Sequence, residues 1–303
     1  MIEFQSLDLK NKAAYDRFLL ASGHRGCEYN FANLYLWGRQ RAAFYAGSLV
    51  FFSQFNRKSV YPFPLTHGDV KSALDAIIAD TKKRGIPCRI TGLLPEDCQT
   101  LEALYPGQFR FHFDRDGFDY IYDINDLAEL KGRKFQRKRN HLNRFRQNHP
   151  DYTVEPITDE NAQEVVQLID RWYADRLLAD PHADFKMEQN AIYKAMQFRS
   201  QLGIEGLVLR HNGQLLAMTM GSLLGGDTFD VQFEKALDQA DGAYPAICWE
   251  FSRYLRAKYP HLRWLNREDD MGIEGLRKAK LAYCPDHMIE KSWACLLEAG
   301  CDY

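Results

Sequence analysis

Positions 131 to 146 carry eight lysines or arginines and no acid, in the run Lys131-Gly-Arg-Lys-Phe-Gln-Arg-Lys-Arg-Asn-His-Leu-Asn-Arg-Phe-Arg146. Fixed positive charge at this density suits a polyanion: an RNA backbone, a nucleotide pyrophosphate or an anionic lipid headgroup. Asp126 and Glu129, just ahead of the run, have the spacing of a capping box and predict a helix over 126–147. At about 100° per residue, Leu127, Phe135, Leu142 and Phe145 share one face of that helix, and Lys138 falls at the centre of the same face. Arg133, Arg137 and Arg144 form a second stripe. A lysine on an apolar face needs a buried carboxylate or an anionic ligand. The ordinary alternative is a solvated basic face whose lysine stems snorkel over apolar surface. The anion-binding set predicted from the run is Arg133, Lys134, Arg137, Lys138, Arg139 and Asn140.

A second cluster spans Asn266-Arg-Glu-Asp-Asp-Met-Gly-Ile-Glu-Gly-Leu-Arg-Lys-Ala-Lys280. It reads as a strand end, a polar loop and a basic helix, and loops after strand C-termini are where α/β sheets place their sites. One of the adjacent acids Glu268, Asp269 and Asp270 is positioned to take a proton from an attacking ammonium. The plainer reading is that they cap the next helix or pair with the basic run. Asn266, Arg277 and Lys278 extend the anion-binding set, and Lys280 or Lys278 would offset developing negative charge. Gly272 and Gly275 allow backbone N–H groups to approach a ligand. A third, weaker feature is Ala240-Asp-Gly-Ala-Tyr-Pro-Ala246, a turn of small residues ahead of a helix N-terminus. The sequence holds no GxSxG elbow, GxxxxGK[ST] loop or HExxH motif. No nucleophile–base pair is in view either.

These segments need a scaffold. The second half reads β-α-α-β-β-β-α-β-α-β: a strand at Tyr152–157, helices from 158 and over 186–201, strands 204–211, 214–223 and 228–235, a helix over 246–258, a strand 262–266, a short helix from 273 and a last strand 287–297. Asn212-Gly213 joins two of the strands as a hairpin turn. The first half repeats this order in weaker form. The expected fold class is therefore α/β (α+β): two tandem domains, residues 1–125 and 126–303, each a mixed, mostly antiparallel sheet flanked by helices.

Composition bounds the function. The 303 residues carry a formal net charge of −2, so the molecule as a whole is not a polycation, and charge matters where it clusters. Seven cysteines without a CxxC pair or zinc-type histidine spacing predict reduced thiols and no metal site. No signal peptide and no stretch of about 18 apolar residues is present, and the expected compartment is the cytoplasm.

The segments DYIYDINDLAELKGRKFQRKRNHLNRF (119–145), NREDDMGIEGLRKAKLAYCP (266–285) and CEYNFANLYLW (27–37) resemble a bacterial family named for its similarity to the C-terminal domain of phosphatidylglycerol lysyltransferase. The resemblance implies two acyl-CoA N-acyltransferase (GNAT-like) folds in tandem, as in Fem-type aminoacyltransferases. Such relatives take an aminoacyl group from charged tRNA and place it on an amine or a lipid hydroxyl. Two departures qualify the transfer. Asp241-Gly-Ala-Tyr-Pro-Ala is a poor copy of the usual Gln/Arg-x-x-Gly-x-Gly/Ala pyrophosphate loop, which counts against CoA. The multi-pass membrane domain that usually precedes this module in lipid aminoacyltransferases is not in the sequence, which counts against a lipid acceptor. The expected function is aminoacyl transfer from tRNA, held by the basic helix, to a small-molecule or peptide-like amine or hydroxyl acceptor. No cofactor is required beyond the donor, aminoacyl-tRNA or acyl-CoA. The alternatives are an acyl-CoA-dependent N-acyltransferase and a non-catalytic module that binds a phosphorylated ligand.

Overall fold

Asn212 and Gly213 both adopt positive φ, 50° and 78°, as a two-residue hairpin loop requires, and they join Ile204–His211 to Gln214–Gly225 in antiparallel register. That hairpin belongs to one of two sheets in the computed structural model, which describes residues 1–55 and 58–297. Its strand order is His287–Ile289, Asp119–Asp123, Trp264–Asn266, Thr228–Ala236, Gln214–Gly225, Ile204–His211 and Thr153–Pro156. Thr228–Ala236, the central strand, runs parallel to Trp264–Asn266, and helix Ala243–Lys258 makes the crossover between them. The parallel pairing covers only Thr228–Asp230, after which the central strand continues to Ala236. Opposite, a Cβ on Gly221 would stand 1.9 Å from the Asp230 carbonyl oxygen, so only glycine fits where the register shifts between Met220 and Ser222. Helix Ala162–Ala179 buries Val165, Leu168 and Ile169 as its spacing predicts, while Leu177 is exposed.

The other sheet has eight strands. Its path is Gln5–Ser6, Gln40–Tyr45, Ser48–Phe55, Lys58–Pro62, Arg89–Leu93, Ser292–Leu296 and Phe109–Phe113, with Leu65–Thr66 paired to Ser48–Phe55. It is mixed, because Lys58–Pro62 runs parallel to Arg89–Leu93. Helix Val70–Arg84 starts at Asp69, whose carboxylate accepts from the Lys71 and Ser72 amides, and stops at Gly85. Leu74 and Ile77 from this helix join Val50, Tyr61, Ile90, Leu101 and Ala294 in the core.

The chain divides into two compact units. One comprises 1–119, 269–274 and the residues from Met288 onward, and the other comprises 120–268 and 275–287. The first boundary falls at 119/120 rather than 125/126, and two later segments also change units. The expected final strand 287–297 is two strands, and the second of them, Ser292–Leu296, lies between Arg89–Leu93 and Phe109–Phe113 in the first unit's sheet. The strand is interrupted at Glu290 and Lys291, and the Lys291 ammonium is fixed by Asp119 and Glu28. The loop 269–274 also belongs to the first unit.

The predicted helix over 126–147 is interrupted. Helix Ile124–Glu129 is capped by Asp123 rather than Asp126, and it ends where Leu130 and Gly132 take positive φ of 49° and 85°. After a short 3-10 turn the basic helix proper runs Gln136–Asn148. The apolar face nevertheless holds: Leu127, Phe135, Leu142 and Phe145 are all buried.

Candidate anion-binding cleft

Phe135, Leu142 and Phe145 anchor the basic helix, and Lys138 on the same side is carried half under the surface with them. Its Nζ stands 3.5 Å from the centre of the Tyr283 ring, a cation–π contact just beyond the end of helix Glu274–Leu281. Between the two helices lies a cleft of about 320 Å³ lined by Arg137, Lys138, His141, Lys278, Ala279 and Ala282. The alanines leave the space, and three cations line it. No carboxylate is among the lining residues. Arg137 and Lys138 have no ion-pair partner among the described residues.

Below the rim, Glu234 and Arg267 form a buried ion pair at 2.7 Å. Burial pushes the Glu234 carboxyl up, and Arg267 opposes the shift. Burial works against the Arg267 charge as well, but Glu234 holds the guanidinium protonated. Burial raises the Cys248 thiol to about 11, and raises the Tyr283 hydroxyl well above its ordinary value. Loss of water pushes Lys138 down to about 8, with Cys248 and Glu234 pulling the other way and Arg267 and Arg137 adding to the drop.

Of the predicted site residues, the cleft therefore unites Arg137, Lys138 and Lys278 from two separate segments. The others fall elsewhere. Lys134 is exposed and paired with Asp126 at 2.6 Å. Arg133 and Asn140 are exposed, and the Asn140 Oδ1 accepts from the Gln136 amide at 2.9 Å. Arg139 is a structural residue: its guanidinium donates to the carbonyls of Leu130 and Gly132 and to Gln136, holding the break between the two helices. Lys280 is buried and donates to the carbonyls of Arg267 and Glu268, so it fixes the strand end rather than facing a ligand. Asn266 is buried, and its Oδ1 accepts from the Glu268 amide. Arg277 is half-buried and does not line the cleft.

Glu268, Asp269 and Asp270 do not line the cleft either. Asp270 is fully buried, lies 3.5 Å from Arg115, and accepts from the Gly272 amide. Asp269 is in the same loop, which belongs to the first unit, and Glu268, with φ of 56°, ends the second unit's segment. The turn before helix Ala243–Lys258 offers little to an anion. A Cβ on Gly242 would lie 2.6 Å from the His141 carbonyl oxygen, so the basic helix's own backbone abuts that N-terminus.

Sequence reading missed Glu234, Arg267, Cys248 and Tyr283, the surroundings of Lys138. Strand Thr228–Ala236 carries two acids, Asp230 and Glu234, and nothing local marks Glu234 out as the partner of Arg267. Sequence reading also missed a cluster in the first unit. Lys291, 7% exposed, places its Nζ 2.7 Å from Asp119 and 2.7 Å from Glu28, and the Asp119 carboxylate also accepts from the Cys27 amide. Ligand atoms of Cys27, Glu28 and Asp119 lie within 4.8 Å of one another, a spacing that suits a metal ion. The ammonium of Lys291 already supplies the positive charge those carboxylates need.

Three antiparallel strands, a helical crossover and a short parallel strand in one unit, with a mixed sheet in the other, define a protein of the GNAT-like fold. A tandem GNAT protein from the clavulanic acid biosynthesis pathway superimposes with a TM-score of 0.52 at 12% identity, covering 100% of both chains. L-PGS from Bacillus licheniformis does so with a TM-score of 0.69 at 15% identity, over 96% of this chain and 93% of its own. A conserved protein of unknown function from Bacteroides thetaiotaomicron is 37% identical with a TM-score of 0.92, over 98% of this chain and 100% of its own. The model of the family described as phosphatidylglycerol lysyltransferase, C-terminal, matches residues 21–295, and the chain belongs to that family. A curated relative, an uncharacterised protein of Mycoplasmoides gallisepticum, is 23% identical over 175 residues, and the chain spans about half of its length (54%). No helix among the described residues is long and apolar enough to cross a membrane.

Proposed function

We infer that the chain is an aminoacyltransferase that takes an aminoacyl group from charged tRNA and passes it to an amine or hydroxyl acceptor. The observation that carries the reading is the cleft: Arg137, Lys138 and Lys278 converge on one cavity without a lining carboxylate. Cations gathered at a concave site with no carboxylate in its lining suit a phosphodiester donor. Family membership supports the same chemistry, since the family is described by a lysyltransferase. The close approach of the His141 carbonyl to Gly242 argues against a CoA pyrophosphate at the neighbouring helix N-terminus.

In the proposed reaction the acceptor's lone pair attacks the carbonyl carbon of the aminoacyl ester. The carbonyl π pair moves to oxygen, then returns as the bond to the tRNA 3′-oxygen breaks. Arg137 and Lys278 hold the donor phosphates and offset the oxyanion. Cys248, with a thiol raised to about 11 by burial, stays protonated, so a covalent thioester route is disfavoured.

The test is discharge of radiolabelled lysyl-tRNA by the purified chain, with phosphatidylglycerol vesicles and with a lysine-containing peptide as acceptors. Label moving to either acceptor supports the reading. Label remaining on tRNA with both contradicts it.

A further inference from the structure

Ester-to-acceptor transfer leaves one proton to be moved, and of the two lysines that line the cleft, Lys138 is the half-buried one resting on an aromatic ring. Lys138 reaches the cavity from the apolar side of its helix, its Nζ rests on the face of the Tyr283 ring, and no carboxylate among the described residues neutralises it. A residue serving only as a fixed charge would be better as arginine, which keeps its proton throughout. The groups around Lys138 leave it the role. On its own helix, Arg137 repels its charge, and burial keeps His141 below its ordinary value, with Arg144 adding to the effect. On the facing helix stands Lys278. On the central strand, Glu234 is committed to Arg267 at 2.7 Å. Beneath, Cys248 and Tyr283 are both raised by burial and hold their protons.

The geometry points to Lys138 as the acid–base catalyst of the transfer, beyond any part it has in holding the donor. This rests on the aminoacyltransferase reading. The neutral amine takes the proton from the attacking N–H or O–H as the new bond to the carbonyl carbon forms. The resulting ammonium gives that proton to the 3′-oxygen as the ester bond breaks, and Lys138 returns to the neutral form. No oxidant, metal or further reactant is needed for the balance. The fall of the Lys138 pKa to about 8 gives the residue a usable neutral fraction near physiological pH.

The experiment compares wild type, Lys138→Arg and Lys138→Met in lysyl-tRNA discharge across about pH 6 to 9.5, with whichever acceptor supports wild-type turnover, alongside lysyl-tRNA binding and melting curves. Wild-type kcat should rise with unit slope and level off above about pH 8. Lys138→Arg should bind lysyl-tRNA within about twofold of wild type yet lose on the order of 10²–10⁴ in kcat together with the limb near pH 8. Lys138→Met should lose turnover while keeping its melting temperature. Turnover of Lys138→Arg within about tenfold of wild type, or the same limb surviving in that variant, overturns the assignment, because a surviving limb belongs to the acceptor. Absence of wild-type discharge with both acceptors instead overturns the aminoacyltransferase reading, and this inference with it.

Discussion

Lys138 and Lys291 are both lysines withdrawn from water, and their surroundings differ in one respect. Lys291 has two carboxylates at 2.7 Å. Lys138 has a ring face and no carboxylate. Burial disfavours both ammonium groups, but Asp119, Cys27 and Glu28 override it at Lys291 and hold its pKa well above the ordinary value, while at Lys138 burial prevails and the value falls to about 8. A buried charge with its counter-ions built in is a structural element, and removing one member strands the rest. A charge without them is costly to the fold and is kept for something that arrives from outside.

The largest expected effect breaks this contrast open. Lys291→Met leaves the Asp119 and Glu28 carboxylates without their cation and should cost about 3–5 kcal/mol in urea unfolding, whereas Lys138→Met strands nothing and should cost close to zero. Similar losses for both would erase the distinction. Lys280→Met should fall between them, at about 1–3 kcal/mol, because the carbonyls of Arg267 and Glu268 lose a buried donor. A stability equal to wild type would return Lys280 to the pool of ligand-facing residues.

The comparison can be sharpened with pH. The folded value for Lys138, about 8, lies below the unfolded value near 10.4, so the unfolded chain holds the extra proton between those limits. Wild type should therefore gain stability relative to Lys138→Met as pH rises from about 8 to about 10.4, and a difference that stays flat over that window contradicts an uncompensated ammonium. The smallest effect belongs to Lys134→Ala, an exposed pair with Asp126, which should change stability by less than about 1 kcal/mol, less at high salt.

What the sequence made legible was local. Strand Ile204–His211 and the Asn212-Gly213 turn follow from a short apolar run and turn chemistry, and Leu142 and Phe145 are buried where helical spacing puts them. The break at Leu130 and Gly132 was hidden because a capping-box spacing at Asp126 looked like a helix start, and Arg139 was read as a ligand group because its carbonyl partners exist only once that break forms. Arg137, Lys138 and Lys278 were named from charge density, but nothing local says that they share a cavity while Lys134 turns to Asp126. The pairs that decide the electrostatics are long-range: Glu234 with Arg267 across the end of a parallel strand pair, and Lys291 with Asp119, 172 positions away. Single residues of ordinary type carry no sign of such partners.

The central claim is that the cleft holds a polyanionic donor through the cations that line it, with no carboxylate in the lining. Its most direct measurement is the salt dependence of lysyl-tRNA binding by wild type, Arg137→Ala and Lys278→Ala. We expect log Kd to rise linearly with log salt for wild type, and each substitution to weaken binding and reduce that slope by about 1. Binding that ignores salt, or slopes that stay the same in both variants, would contradict the account.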